Sequence, residues 1–450
     1  MRIKQISVKK LFGMFDHVIP LNMDDRITII HGVNGIGKTV LLSLIDSIFN
    51  SKYYKLRQTR FEEIQIDFDD DSYLSIKKTK KENSRVKEKI SFSFLNFIDS
   101  QTENFSLPNI NTSELSFPVG IIDDLIPELK RIKTKSWLYL PTNEELSLED
   151  VLERFGDILP GEGQENYPNK PDWLKELEKS INVRFIESQR LLNVSNLGSS
   201  REYRIVSSRR VPSLLLSAVA NYSREIAENI QATLAEYGKL SQSLDRTFPA
   251  RVFQQKKSHK LTDEELKDKL SSLEKQRNQL IESGLLTKDE NPNFQIQDRT
   301  IDDSTRNLLS VYVEDVETKL NVFTDIAQKT ELLQNIINDH FTYKNIRIDQ
   351  KKGFIFTTNN GYNLSPTELS SGEQNELIML CELLFKTQPN SLILIDEPEI
   401  SLHVEWQVHY LEDLQKIIKL INCDILMATH SPDIINDRWD LTVQLKGHNR

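Results

Sequence analysis

Several features that would place this chain in a membrane or outside the cell are missing from its sequence. No run of about 18 apolar residues occurs, and residues 1–4 lead directly into a strand-like pattern rather than a signal peptide. The two cysteines, Cys381 and Cys423, lie in apolar stretches and suit buried thiols better than a disulfide framework. These absences exclude a membrane-spanning helix and a disulfide-rich secreted domain. We therefore expect a cytoplasmic protein with no membrane partner.

Excess positive charge is also absent. The chain carries 57 Lys and Arg against 67 Asp and Glu, a net charge of −10, which argues against unspecific coating of nucleic acid. Two basic runs, residues 77–81 and 256–260, lack the interleaved aromatic residues of a base-stacking surface and suit solvated turns better. A local basic patch stays open as an alternative, because steering depends on the field of a single face.

A glycine-rich segment follows the apolar run at residues 27–30 and opens a helical pattern at residues 40–48. The segment matches G-x-x-x-x-G-K-[ST], and its position between a strand and a helix is the context in which this motif binds phosphate. Lys38 is expected to reach the β- and γ-phosphates, and Thr39 to offer its hydroxyl to Mg²⁺. The predicted ATP-binding residues of this loop are Gly32, Asn34, Gly35, Gly37, Lys38 and Thr39.

A second apolar strand, residues 391–395, ends in two carboxylates followed by proline. Open α/β sheets place ligand chemistry at the carboxyl ends of their strands. We expect Asp396 to hold Mg²⁺, together with Thr39, and Glu397 to orient and deprotonate the water that attacks the γ-phosphate. Further strands are predicted at residues 3–8, 61–68, 73–76, 183–186 and 425–429, and a hairpin at residues 346–356.

The middle of the chain, residues 212–341, is long, polar, helix-forming and almost free of glycine. Thr262 and Glu265 form a predicted capping box, and apolar residues then repeat at heptad spacing. Two antiparallel helices on an extended arm explain this pattern, and an ordinary helical subdomain with amphipathic faces is the alternative. The seam consists of Leu266, Leu270, Leu273 and Leu280 in the first helix and Leu309, Val313, Val316, Leu320 and Phe323 in the second.

Two further motifs complete a resemblance to a known family. Residues 369–374 form a small-residue turn at a predicted helix start, and a strand after the acidic pair ends at His430. Together with the phosphate loop and Asp-Glu-Pro, these resemble the ABC-type ATPase head of the SMC/RecF group. The resemblance implies an α/β P-loop NTPase head with an inserted helical, coiled-coil arm. It divides the chain into an N-terminal head lobe at residues 1–200, the arm at 201–341 and a C-terminal head lobe at 342–450.

The resemblance also assigns roles to residues outside the phosphate loop. It implies that Ser370 and Gly372 contact ATP as the signature, that His430 contacts the γ-phosphate as a catalytic residue, and that Gln189 completes the coordination of Mg²⁺ and water. In this family the signature of one subunit closes on the ATP held by another, so the implied unit is at least a dimer. The chain departs from the family pattern at Ser371, in place of glycine, and at Glu373, in place of glutamine, which puts the strength of closure in question.

A narrower resemblance concerns the segment at residues 396–407 together with the short arm. It is similar to the ATPases of the Septu and PARIS anti-phage systems and to the ATPase half of OLD-type nucleases. It implies a sensor or scaffold ATPase that controls a separate nuclease or toxin effector and assembles as a dimer or larger homo-oligomer. A phage-derived trigger or DNA is a further implied ligand, and no nuclease domain is expected in this chain. The alternatives are a RecF-like repair ATPase that binds duplex DNA and an ATP-bound scaffold with little turnover.

Overall fold

The computed structural model describes residues 1–79, 89–96, 101–108, 118–155, 170–187, 214–254, 262–287, 302–400 and 402–447. The chain forms two compact units, which are described separately. The first comprises the described parts of Met1–Asn193 and Thr387–Arg450, and the second those of Val194–Lys386. The predicted domain boundaries at residues 200 and 341 stay a prediction.

Strands occur in both units. In chain order they are β1 Ile3–Leu11, β2 Phe15–Pro20, β3 Ile27–His31, β4 Glu63–Phe68, β5 Tyr73–Thr79, β6 Lys89–Asn96, β7 Gln101–Ser106, β8 Leu129–Lys133, β9 Ser136–Tyr139, β10 Glu144–Ser147, β11 Val183–Glu187, β12 Lys344–Asp349, β13 Gly353–Thr358, β14 Asn363–Leu364, β15 Leu392–Asp396, β16 Asp424–Ala428 and β17 Thr442–Gln444.

The α-helices are α1 Lys38–Phe49, α2 Tyr54–Gln58, α3 Ile121–Leu125, α4 Leu148–Phe155, α5 Asp172–Ser180, α6 Leu214–Gln254, α7 Asp263–Glu282, α8 Asp303–Asn321, α9 Thr324–His340, α10 Ser371–Phe385, α11 Val404–Gln407, α12 Tyr410–Ile421 and α13 Pro432–Ile435. Short 3₁₀ helices lie at Pro366–Glu368, Pro398–Ile400 and Trp439–Leu441. No helix in the described ranges is long and apolar enough to cross a membrane.

A parallel five-stranded sheet in the order β11-β15-β16-β3-β17 forms the centre of the first unit. All five residues of β15 are buried, as expected for a strand covered on both faces. In the register, Ala428 pairs with Asp396 on one side and with Ile30 on the other. The segments that follow β3, β15 and β16 therefore leave the sheet side by side at its carboxyl edge.

A second sheet of the same unit is antiparallel, in the order β2-β1-β4-β5-β6-β7. Alternate residues of β4 are buried, which explains why its sequence reads as a half-buried strand. Its inner face shares one hydrophobic core with α1, through residues such as Leu11, Ile66 and Leu41. The strands β8, β9 and β10 pack with α3 and α4 around a small core of their own that includes the fully buried Trp137.

The second unit contains α6 to α9, the hairpin of β12 and β13, and α10. The capping box predicted at Thr262 is present, and most of the predicted seam is buried, including Leu266, Leu273, Leu309 and Val313. The described residues of this region form four helices where two were expected, because α6 continues for 41 residues and α9 follows α8 closely. The helices α6 and α9 pack on the hairpin and on α10, and α8 packs on both α6 and α7.

The two cysteines are free and buried, as predicted. Burial raises the pKa of Cys423 to about 12 and raises the pKa of Cys381 well above its ordinary value. Both groups therefore stay protonated at neutral pH, and the thiol form is a poor nucleophile.

We expect a disulfide reagent to modify both thiols only after unfolding, at least about 100-fold more slowly in the native state than in denaturant. The measurement is the time course of thiol release with and without guanidinium. A Lys351→Cys variant, which places a thiol at an exposed position of the β12–β13 turn, should react at once. Rapid native reaction of the wild-type chain would contradict the burial of its thiols.

Candidate functional site

The phosphate loop connects β3 to α1 and depends on glycine at defined positions. Gly35 and Gly37 have φ angles of 83° and 99°, in the left-handed region of backbone conformation that residues other than glycine rarely adopt. A Cβ atom on Gly37 would lie 2.6 Å from Cδ2 of Leu11, so the loop is pressed against β1. Helix α1 begins directly after this glycine, and no described side chain caps its first turn. The backbone N–H groups in the first turn of α1 are therefore suited to bind a phosphate group.

Lys38 is almost completely buried at the centre of this loop, with 6% of its surface exposed. Its Nζ donates to the carbonyl oxygen of Gly32 at 3.1 Å and lies 2.6 Å from Nε2 of His430. Burial lowers the pKa of Lys38, and the carboxylates of Glu397 and Asp396 act in the opposite direction. The site therefore holds a cation in a largely desolvated position, where its attraction for a phosphate group is strong.

Thr39 and Asp396 join the phosphate loop to the carboxylate strand. The Thr39 hydroxyl donates to Oδ1 of Asp396 at 3.1 Å, although the two residues are 357 positions apart. Magnesium prefers oxygen ligands, and in nucleotide sites one or two protein ligands share it with phosphate oxygens. A threonine hydroxyl and a carboxylate in contact fit this chemistry. Among the described residues no cluster of three or more His, Cys, Asp or Glu could hold a metal ion.

Glu397 leaves the sheet in an unusual conformation. Its φ angle is 48°, and its backbone N–H donates to the carbonyl oxygen of Ala428 at 2.8 Å. A non-glycine residue in this region costs energy and persists only where the surroundings hold it. The carboxylate Oε1 lies 4.0 Å from Nε2 of His430 and the side chain is 30% exposed, so a water molecule can reach it. Access to water is one property that a general base requires.

His430 follows β16, and its segment is held by a carboxylate that the motifs did not indicate. Glu399 accepts hydrogen bonds from the Thr429 hydroxyl at 2.8 Å and from the His430 backbone N–H at 2.6 Å. The imidazole side chain itself faces Lys38 and Glu397. The sequence offered one signal for Glu399, namely a third carboxylate two residues after the acidic pair, but no spacing rule connects it to a residue 31 positions away.

The sequence-predicted site residues thus fall into three groups. Lys38, Thr39, Asp396, Glu397 and His430 meet at the sheet edge of the first unit, with the loop glycines and the exposed Asn34 around them. The signature residues Ser370 and Gly372 belong to the second unit. Gln189 lies outside the described residues.

The signature turn forms the start of α10 within the second unit. Ser370 is the N-cap residue, and it forms a capping box with Glu373. The backbone N–H of Ser370 donates to the Glu373 carboxylate at 2.8 Å, and Gly372 has no neighbour at the place of a Cβ atom. The glutamate that stands in place of the family's glutamine is therefore the second half of the cap.

Lys344 on β12 compensates the charge of this glutamate. Its Nζ lies 2.8 and 2.7 Å from the two carboxylate oxygens of Glu373. Burial raises the pKa of Glu373, but the hydrogen bonds from Lys344 and Ser370 outweigh burial and hold that pKa below its ordinary value. The departure at Glu373 thus adds a negative charge to the helix start together with a lysine that compensates it.

The fold and the site together define a class: an α/β P-loop ATPase with inserted helices. A family model described as AAA ATPase domain matches residues 1–435. The chain belongs to this family. The match confirms the predicted fold class and the recognition of an SMC/RecF-type ATPase.

Other comparisons are more distant. The retron Ec83 probable ATPase of Escherichia coli is 27% identical over 160 residues, which cover 32% of this chain and 28% of that protein. The match thus spans less than a third of that relative's length. The Smc head domain with an extended coiled coil, bound to the C-terminal domain of ScpA, from Pyrococcus furiosus is 12% identical with a TM-score of 0.34, covering 99% of this chain and 94% of that chain. The Smc head domain from Thermotoga maritima is 9% identical with a TM-score of 0.30, covering 97% and 91%.

We predict that Lys38→Ala weakens ATP binding by about 10- to 100-fold, since it removes the charge that faces the phosphates. Calorimetric titration with ATP and Mg²⁺ measures this. The control is Lys4→Ala, which removes an exposed lysine of β1 paired with Asp71 and should leave the affinity unchanged. Equal affinities of wild type and Lys38→Ala would contradict the assignment of the loop.

We further predict that Lys344→Met lowers the free energy of unfolding by about 1 kcal/mol near neutral pH. Because the pKa of Glu373 is depressed in the folded protein, the pair stabilises above the unfolded pKa of about 4.3, and this stabilisation is lost as the pH falls through the folded pKa. Urea unfolding near pH 7 and in acid should show a difference that disappears in acid. The exposed Lys351→Met is the matched control, and a difference that persists in acid would rule out the ion pair as its cause.

Proposed function

We propose that this chain hydrolyses ATP with Mg²⁺ and acts as the nucleotide-controlled subunit of an anti-phage defence complex, where it regulates a separate nuclease or toxin effector. The observation that carries the catalytic part is the contact of Thr39 with Asp396 at 3.1 Å. It joins the phosphate-binding loop to the carboxylates within one site. The similarity to the retron Ec83 probable ATPase supports ATPase activity, and the resemblance of residues 396–407 to anti-phage ATPases is what supports the defence role.

The side chains divide the work of hydrolysis among them. Water adds to the γ-phosphorus while the bond from this phosphorus to the bridging oxygen breaks and ADP leaves, and Lys38 neutralises charge on the β- and γ-phosphates. The hydroxyl of Thr39 and the carboxylate of Asp396 would hold Mg²⁺, which would offset further charge on the phosphate oxygens. Glu397 takes the proton of the attacking water, and His430, 4.0 Å from Glu397, donates a hydrogen bond toward the γ-phosphate.

Nucleotide control follows from a site that two chains share. We infer that Ser370 and Gly372 of one chain close on the ATP bound by a second chain, in a dimer or a larger homo-oligomer. Such an arrangement ties assembly to the γ-phosphate, because only the triphosphate links the two chains and hydrolysis removes that contact. The neutralised start of α10 described above suits this role.

The decisive experiment compares ATP turnover of the wild type and Glu397→Gln. We expect Glu397→Gln to lower kcat by about 10²- to 10⁴-fold, since it removes the general base, while ATP binding persists and the ATP-bound oligomer accumulates. Phosphate release and light scattering measure the two effects. The control is Glu405→Gln, a nearby glutamate with 83% of its side chain exposed.

Turnover by Glu397→Gln at the wild-type rate would contradict its role as the base. A wild type that binds ATP and assembles without turnover would favour the scaffold alternative. Tight duplex binding by the isolated protein, falling steeply with salt, would favour the RecF-like repair alternative. For the defence role, the expected result is that a nuclease or toxin encoded beside this chain co-purifies with it and is released or activated when ATP is exchanged.

A further inference from the structure

The carboxylate of Glu399 links two segments that leave the parallel sheet from different strands. Glu399 lies in the 3₁₀ helix Pro398–Ile400 after β15, and its hydrogen-bond donors, Thr429 and His430, follow β16. The distances are 2.8 Å to the Thr429 hydroxyl and 2.6 Å to the His430 backbone nitrogen. Hydrogen bonds to a charged acceptor are stronger than those between neutral groups. One side chain therefore fixes the backbone from which the imidazole projects.

Gln407 forms a second link between the same two segments. Its amide nitrogen donates to the carbonyl oxygens of Leu402 and Glu399 at 3.3 and 3.4 Å, and its amide oxygen accepts from the Ser431 hydroxyl at 2.7 Å. Gln407 is 7% exposed and Ser431 is 9% exposed. The residues on both sides of His430 are thus tied to the segment that carries the acidic pair.

This double link determines where the imidazole lies. With its backbone held, His430 places Nε2 2.6 Å from Nζ of Lys38 and 4.0 Å from Oε1 of Glu397. The imidazole is itself 35% exposed, and the position of its backbone is one of the constraints on where it lies. A displacement of about 1 Å in a reacting group can cost about 10²-fold in rate.

We propose that Glu399 is a positioning residue for ATP hydrolysis: its carboxylate holds the backbone of His430 so that the imidazole is directed into the phosphate site. Gln407 supports the same arrangement from the other side. The proposal rests on the proposed ATPase function and adds a residue to it. The hydrogen bonds above connect Glu399 to Thr429 and His430, and its charge also acts on Lys38. The part of its effect that passes through His430 is the part that disappears when His430 is removed.

The test is a double-mutant cycle between Glu399→Ala and His430→Ala. In the wild-type background Glu399→Ala should lower kcat by about 10- to 100-fold, with the KM for ATP changed by less than about threefold. In the His430→Ala background the same substitution should have no further effect, because its target is gone. Glu399→Gln keeps one acceptor oxygen and should recover part of the loss.

A matched control and a second variant guard against a folding defect. Glu405→Ala removes a carboxylate from α11 whose side chain is 83% exposed and should leave kcat unchanged. Thr429→Val keeps Glu399 and the shape of the site but removes one of the two donors, and it should give a smaller loss of kcat than Glu399→Ala. Thermal unfolding of each variant shows whether the fold persists.

A measurement that does not require ATP turnover tests this proposal independently of the ATPase assignment. Carbethoxylation of His430 by diethyl pyrocarbonate, followed by mass spectrometry, should become at least about twofold faster in Glu399→Ala, since the segment is no longer held. His403, 61% exposed, is the internal reference and should not change. A wild type without ATPase activity would refute the proposed function, and the carbethoxylation rates would still decide whether Glu399 positions His430. Wild-type kcat in Glu399→Ala, an equal loss in the His430→Ala background, or unchanged reactivity of His430 would overturn the proposal.

Discussion

The parallel pairing of β3, β16 and β15 is the constraint on which the site depends. Ala428 of the middle strand is opposite Ile30 on one side and Asp396 on the other. This register fixes the distance between the phosphate loop, the acidic pair and the histidine segment within a few ångströms. A shift of one residue in β15 would exchange the side chains on its two faces and move Asp396 away from Thr39. Burial of all five β15 residues makes such a shift costly.

The site places the buried cation of Lys38 close to the carboxylates of Glu397 and Asp396. The cost of burying the Lys38 charge is offset by the nearby carboxylates of Glu397 and Asp396 and by the hydrogen bond to the Gly32 carbonyl oxygen. In the proposed function, a triphosphate would bring negative charge to the same place, and magnesium would offset the repulsion between that charge and Asp396. The charges of phosphate, metal and protein would then balance only when all are present, which is why we propose nucleotide control.

Local patterns predicted the elements of this site better than they predicted their connections. The phosphate loop, the buried strand before Asp396 and the capping box at Thr262 were all readable, because each depends on neighbours within a few residues. The helices of the second unit were predicted less completely. The 41-residue α6 was not distinguished from the later helices, since its apolar positions face a hairpin, α8 and α10 rather than one partner. No single heptad pattern describes such a surface.

The sequence by itself determined the chemistry of this protein: a loop that can bind phosphate, a strand that ends in two carboxylates and a membership in the AAA ATPase domain family. Only the tertiary structure decided that Glu399 holds His430 and that Lys344 neutralises Glu373. Such contacts join residues 29 to 31 positions apart. They depend on which strands pair and where side chains project from them, and no local propensity encodes that information.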